Sequence, residues 1–269
     1  MDWKTSARLF FGLTLVAIGA AWLIGGGFTP VLRPVSEGAP ARDLLAYGSS
    51  LMLCVCGAGL LWKRTATLAA LVLFAFVAIW TLAFKFPFIV RAPLVEGSYQ
   101  ANGENWVLIA AAWVLYAELS KGSNFLSTAL GVRLAYLLYG LGLIAFGLSH
   151  FFYLDLTAPL VPGWLPGSPV FWAYATGTIY TVCGVALVVG LEPRLAALGA
   201  ALNITLITVL VWVPIVAAGG LSDMHLQETI VSWALTAAAL VLASGSPPAT
   251  AAYLSPSRRH RSARSGSRR

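Results

Sequence analysis

RLAYLLYGLGLIAFGLSHFF, residues Arg133–Phe152, decides how the chain reads. Behind its leading arginine the run carries no Asp, Glu, Lys or further Arg. It has about the 20 residues an α-helix needs to cross a hydrocarbon core roughly 30 Å thick. The chain opens on the same pattern, with Lys4 and Arg8 followed by the apolar run Leu9–Ile24. Alone, that opening resembles a secretory signal. Its recurrence in mid-chain, where no cleavage makes sense, identifies both as retained membrane helices.

Working outward, hydropathy places eight spans near 7–25, 43–62, 66–88, 104–119, 133–153, 169–190, 194–217 and 227–244. The fourth is short and is expected to use flanking residues or a thinned bilayer. Composition agrees: 59% of residues are apolar and 10% charged, against about 45–50% and about 25% in soluble domains. Such a chain cannot cover a water-exposed surface with polar groups. The fold class is all-α, a polytopic membrane protein.

The two halves correspond. Cys56-Gly57-Ala58-Gly59-Leu60 matches Cys183-Gly184-Val185-Ala186-Leu187 at an offset of 127 (183 − 56). The same offset carries Ala46-Tyr47 onto Ala173-Tyr174, Ala69-Ala70-Leu71 onto Ala196-Ala197-Leu198, and Pro87 onto Pro214. Gly12 and Gly19 map to Gly140 and Gly147 with a shift of one, and Glu104 maps to Glu228 at 124 (228 − 104). Four helices per half make this a parallel repeat about an axis along the membrane normal. The expected organisation is two tandem four-helix bundles, residues 1–119 and 133–244, joined by a linker at 120–132 and followed by a disordered basic tail at 245–269.

Basic residues set the orientation. Lys4, Arg8, Lys63, Arg64, Lys121, Arg133 and Arg194 fall on one side, and six of the last twelve residues are arginines. The positive-inside rule puts both termini in the cytoplasm. The outer side receives Glu37, Asp43, Glu96, Glu104, Asp155, Asp223 and Glu228, with the longer Gly- and Pro-rich loops, where function tends to sit. An arginine tail could also bind nucleic acid or anionic lipid; on a membrane protein it reads as a topology determinant, with no nucleic-acid partner expected. The three cysteines lie in apolar runs without a C-x-x-C pair, so they read as inert buried thiols. No P-loop or dinucleotide fingerprint occurs, nor any flavin or haem site.

The second half reads Arg133, Gly140, Gly147-Leu148-Ser149-His150-Phe151, Val161-Pro162-Gly163-Trp164-Leu165-Pro166-Gly167, Phe171-Trp172-Ala173-Tyr174, Gly177, Cys183-Gly184, Arg194-Leu195-Ala196-Ala197 and Val213-Pro214. This resembles the DoxX family of four-helix bacterial membrane proteins, within the wider DoxX/DoxD-like group. The resemblance covers 133–244 and reaches 7–119 through the internal repeat. It implies a four-helix bundle per half in a bacterial inner membrane. It also implies membership of a periplasm-facing redox or stress system linked to quinone, alongside a partner protein. Distant relatives are chaperones or cargo receptors, so family likeness does not fix an activity. A non-enzymatic scaffold and a small-solute or lipid carrier are the rival classes; whether the chain is an enzyme stays open.

Ionisable groups in or beside spans are costly and therefore mark candidate sites. His150 ends the first helix of the second half, with Asp155 just beyond. His225 and Glu228 open its last helix, three residues apart and so on one face. These four form the expected outer pocket, where histidine exchanges protons near neutral pH and a carboxylate relays them. Helix capping at the interface is the plainer reading. The spacing carries no metal signature. A second tier is Lys85, Arg91 and Glu104, with Lys85 either pairing with Glu104 or snorkelling to the interface.

Overall fold

The structure, a computed structural model, describes residues 2–120, 124–219 and 223–247, with only the backbone of Asp223. Residues 121–123 of the linker, the tail from residue 248 onward and the side chain of Asp223 lie outside the described residues. Eight long helices fill the rest: α1 Trp3–Gly25, α2 Arg42–Leu61, α3 Ala66–Arg91, α4 Glu96–Leu119, α5 Ala129–Phe152, α6 Pro169–Val189, α7 Pro193–Ala217 and α8 Asp223–Ser244. No strand occurs among the described residues. All except α4 are long and apolar enough to cross a bilayer. The molecule is a polytopic helical membrane protein in contact with lipid.

The exception is instructive. The spans drawn from hydropathy start α4 at 104, but the helix begins at Glu96 and runs for 24 residues, about 36 Å at 1.5 Å per residue. Its first half carries Gln100, Asn102, Glu104 and Asn105, which depress the hydropathy. Those groups do not meet lipid, because α4 packs against α3, α5 and α8 at once. Asn102 and Asn105 are fully buried, as is nearly every side chain from Val107 to Tyr116. A helix sheathed in protein may carry polar groups that a lipid-facing helix cannot.

Successive helices pack in a closed ring, α1 on α2 and so on to α8, and α8 closes it on α1. The two sets of four interlock: α1 sits on α8 rather than α4, α5 sits on α4, and α4 touches α8 across the centre. Several local features occur once in each set of four helices. Backbones meet closely where α1 crosses α2 and where α5 crosses α6: a Cβ on Gly57 would lie 2.7 Å from the Gly12 carbonyl oxygen, and one on Gly184 would lie 2.7 Å from that of Gly140. This is small-residue packing between membrane helices. Arg8 donates to the Leu60 carbonyl at the end of α2, and Arg133 to those of Leu187 and Val188 at the end of α6. A cation at a helix C-terminus satisfies its free carbonyls. Both α3 and α7 widen into a π turn, at Thr81–Lys85 and Thr208–Trp212. Pro87 and Pro214 explain this, since a proline ring excludes the carbonyl four residues earlier.

Residues 124–128 lead into α5. A 3-10 turn at Phe125–Ser127 leads to Thr128, whose side chain caps α5 by accepting from Gly131 N–H. The start of the tail is also placed: Ser246 N–H donates to Glu118 and the Ser246 hydroxyl accepts from Lys4.

The loops that follow α1 and α5 differ between halves. Residues 26–41 turn inward, burying Phe28, Val31 and Leu32, and the turn Pro30–Leu32 lies against α8 and α4. Trp80 Nε1 holds it by donating to the Leu32 carbonyl at 2.9 Å. In the second half, the corresponding segment forms short turns at Leu154–Thr157 and Ala158–Leu160 that stay at the surface. One half is plugged and the other is roofed.

Candidate functional site

Beneath that roof lies a cavity of about 420 Å³, within the roughly 300–1,000 Å³ range of small-molecule sites. Its wall is mainly apolar and aromatic, including Phe146, Trp172, Tyr180, Ile204 and Val231. Into this wall are set His150 from α5, Trp212 from α7, Glu228 from α8 and Glu104 from α4. The cavity therefore draws on both halves.

Each polar group has a definable role. His150 Nδ1 lies 2.8 Å from the Phe146 carbonyl. A carbonyl can only accept, so Nδ1 carries the hydrogen, and in the neutral ring Nε2 keeps its lone pair. Tyr180 holds the ring from the side, centroids 5.7 Å apart. The Trp212 indole N–H is buried without an acceptor among the described residues. Such an orphaned donor costs about 1–3 kcal/mol. Glu228 lies close enough to Glu104 for their charges to interact.

Lys85 stands directly behind Glu104. Its side chain has 0% exposure, and its ammonium donates to Glu104 Oε2 at 3.0 Å, the Ala101 carbonyl at 2.8 Å and the Val31 carbonyl at 3.2 Å. Three donors meet three acceptors. Lys85 therefore pairs and does not snorkel, and it has no hydrogen left for a ligand. The Lys85 carbonyl, released by the π turn, accepts from Asn102 Nδ2 at 2.9 Å.

The expected pocket of two histidines and two outer carboxylates is only partly assembled. His150 and Glu228 meet, joined by Glu104 from the second tier. Asp155 is exposed on its surface turn, and Arg91 is exposed in the last turn of α3. His225 lies outside the lining, with its ring 6.5 Å from that of Trp212. Trp212 was missed, although the offset signals it: 85 + 127 places it opposite Lys85, two residues before Pro214. Glu96 was also missed as a buried group; both its carboxylate oxygens lack partners among the described residues. Cys54, Cys56 and Cys183 are free thiols, and no cluster of metal-ligating side chains occurs among the described residues.

Residues 139–244 match a family described as a domain of unknown function, DUF8561. No curated protein and no solved structure matches the chain significantly. The matched stretch holds His150, Trp212 and Glu228, while Lys85 and Glu104 lie outside it.

Proposed function

We propose that the chain binds a lipid-soluble quinone in the cavity and serves as the membrane component of a redox or stress system facing the outer side of a bacterial inner membrane. The observation that carries this reading is the apolar, aromatic cavity whose lining brings His150, Glu228 and Trp212 together, with the Trp212 N–H lacking an acceptor among the described residues. A quinone is a flat apolar ring bearing two carbonyl oxygens. One would accept from Trp212. The other would meet His150, which as imidazolium donates to a quinone carbonyl and when neutral accepts from a quinol hydroxyl. Reduction takes two electrons and two protons per quinone. The electrons would come from a redox-active partner protein at the outer face, and the protons would pass through His150 and Glu228. The cavity lies at the end of the bundle that the positive-inside rule places outside. The recurrence of glycine crossings, arginine caps and π turns favours descent from a tandem duplication of a DoxX-like unit with both termini cytoplasmic.

The test is binding of a short-chain quinone to full-length protein in lipid nanodiscs, followed by quenching of tryptophan fluorescence. Trp212→Phe keeps the packing and should weaken binding about fivefold, one hydrogen bond of about 1 kcal/mol, and His150→Ala should weaken it further. Asp155→Asn and His225→Ala should leave affinity unchanged. Equal affinity in all four variants, or no saturable binding, would remove the quinone and leave a scaffold for a partner protein.

A further inference from the structure

The cavity has a polar neighbour of about 470 Å³, lined by Arg33, Pro34, Arg42, Asp43, Ala101 and Gln227, among others. Arg33 and Asp43 are exposed, so this vestibule meets solvent at the outer end. Among the described residues the two spaces share one lining residue, Glu104.

We propose that Glu104 passes protons between the outer vestibule and the membrane cavity, with Glu228 as the next station. The proposal rests on the proton-exchanging reading of the cavity given above. Glu104 is the titratable group that lines both spaces, and a carboxyl group can take a proton on one side and give it up on the other. Lys85 bonds only Oε2 of Glu104; Oε1 has no hydrogen-bond partner among the described residues. Glu104 faces Lys85 on α3 and Glu228 on α8, with Arg33, Arg42 and Asp43 across the vestibule and His150 across the cavity. Both arginines are occupied elsewhere: Arg33 donates to the Phe28 carbonyl at 2.9 Å, and Arg42 donates to the Ser36 carbonyl at 2.7 Å and lies over the Phe28 ring. Lys85 balances one of the two carboxylates, and no cation lies within ion-pair distance of Glu228 among the described residues. The second carboxylate is thus a place for a proton to rest. In each step the Glu104 carboxylate takes a proton from vestibule water and passes it to the Glu228 carboxylate, returning to its ion pair with Lys85.

Gln227 lines only the vestibule, which allows a plug that leaves the carboxylates untouched. With Cys54, Cys56 and Cys183 replaced by alanine, Gln227→Cys would be labelled with a bulky thiosulfonate in nanodiscs. The rate of buried carboxyl protonation after a pH jump is then followed by infrared difference spectroscopy, assigned with Glu228→Gln. Labelling should slow that rate by on the order of tenfold or more. The paired variant Lys85→Met, Glu104→Gln should slow protonation of Glu228 similarly. Unchanged rates after both labelling and the paired substitution would overturn the proposal. No ligand is needed for this readout. Slowing in a protein that binds no quinone would sink the quinone reading alone, and quinone binding without slowing would sink the proton route alone.

Discussion

Replacing Lys85 with methionine keeps most of the side-chain volume and removes a charge that has no access to water. Lys85 is 0% exposed and Glu104 13% exposed at the side chain, so the Glu104 carboxylate would be left buried without its cation. Removing one member of a buried pair costs about 3–5 kcal/mol, and the Val31 and Ala101 carbonyls lose a donor besides. For a chain of this size that corresponds to a fall in melting temperature of roughly 10 °C. Glu104→Gln alone strands the ammonium and should cost a similar amount. The double variant removes both charges and leaves only the two carbonyls short of a donor, so about 1–3 kcal/mol is expected. Thermal unfolding in nanodiscs, read as a double-mutant cycle, should then give a coupling above about 2 kcal/mol. If Lys85→Met alone lowers stability by less than about 0.5 kcal/mol, the ammonium reaches water, and the pairing described here is refuted.

Two further outcomes are expected. Gly140→Ala places a methyl 2.7 Å from the Gly184 carbonyl oxygen and should destabilise by about 1–3 kcal/mol; Gly48→Ala meets nothing within 4 Å and should be neutral or stabilise by up to about 1 kcal/mol. Equal effects at the two positions would disprove the close crossing of α5 and α6. With the native cysteines replaced, Arg64→Cys in the loop between α2 and α3 should react with an impermeant reagent only after cells are opened; labelling of intact cells would reverse the orientation.

What the sequence made legible is what lipid imposes. A helix facing hydrocarbon must be apolar along its length, so hydropathy draws seven helices nearly whole and the fourth only from 104, and Gly12, Gly57, Gly140 and Gly184, matched by the repeat, lie where backbones cross. The centre of the molecule escapes this rule. α4 is enclosed by α3, α5 and α8, so its polar first residues, 96–103, fell outside a hydropathy span drawn from 104 although they belong to the same helix. Site legibility divides in the same way. Charged residues announce themselves inside apolar runs, and Glu104, His150, Glu228 and Lys85 were all visible. Trp212 was hidden because a tryptophan near a span end reads as an interfacial anchor; the offset from Lys85 points to the position, and burial of its N–H marks it in the structure. Asp155 and His225 misled because closeness along the chain at a helix end does not decide which way a side chain faces.

The asymmetry between the halves follows from two local differences. At the offset of 127, Lys85 stands opposite Trp212, so the first half supplies a cation to its carboxylate and the second half supplies an uncharged donor. The inward turn at Pro30–Leu32 then closes over the Lys85–Glu104 pair, with the Val31 carbonyl as one of its acceptors. A lysine with three protein acceptors needs no ligand, and the space around it is filled. In the second half, among the described residues, the Trp212 donor is unpaired and no cation lies within ion-pair distance of Glu228, and the loop from Leu154 to Leu160 roofs the space instead of filling it. The same scaffold therefore yields a buried ion pair in the first half and a lined cavity in the second, and Glu104 belongs to both because α4 and α8 meet at the centre.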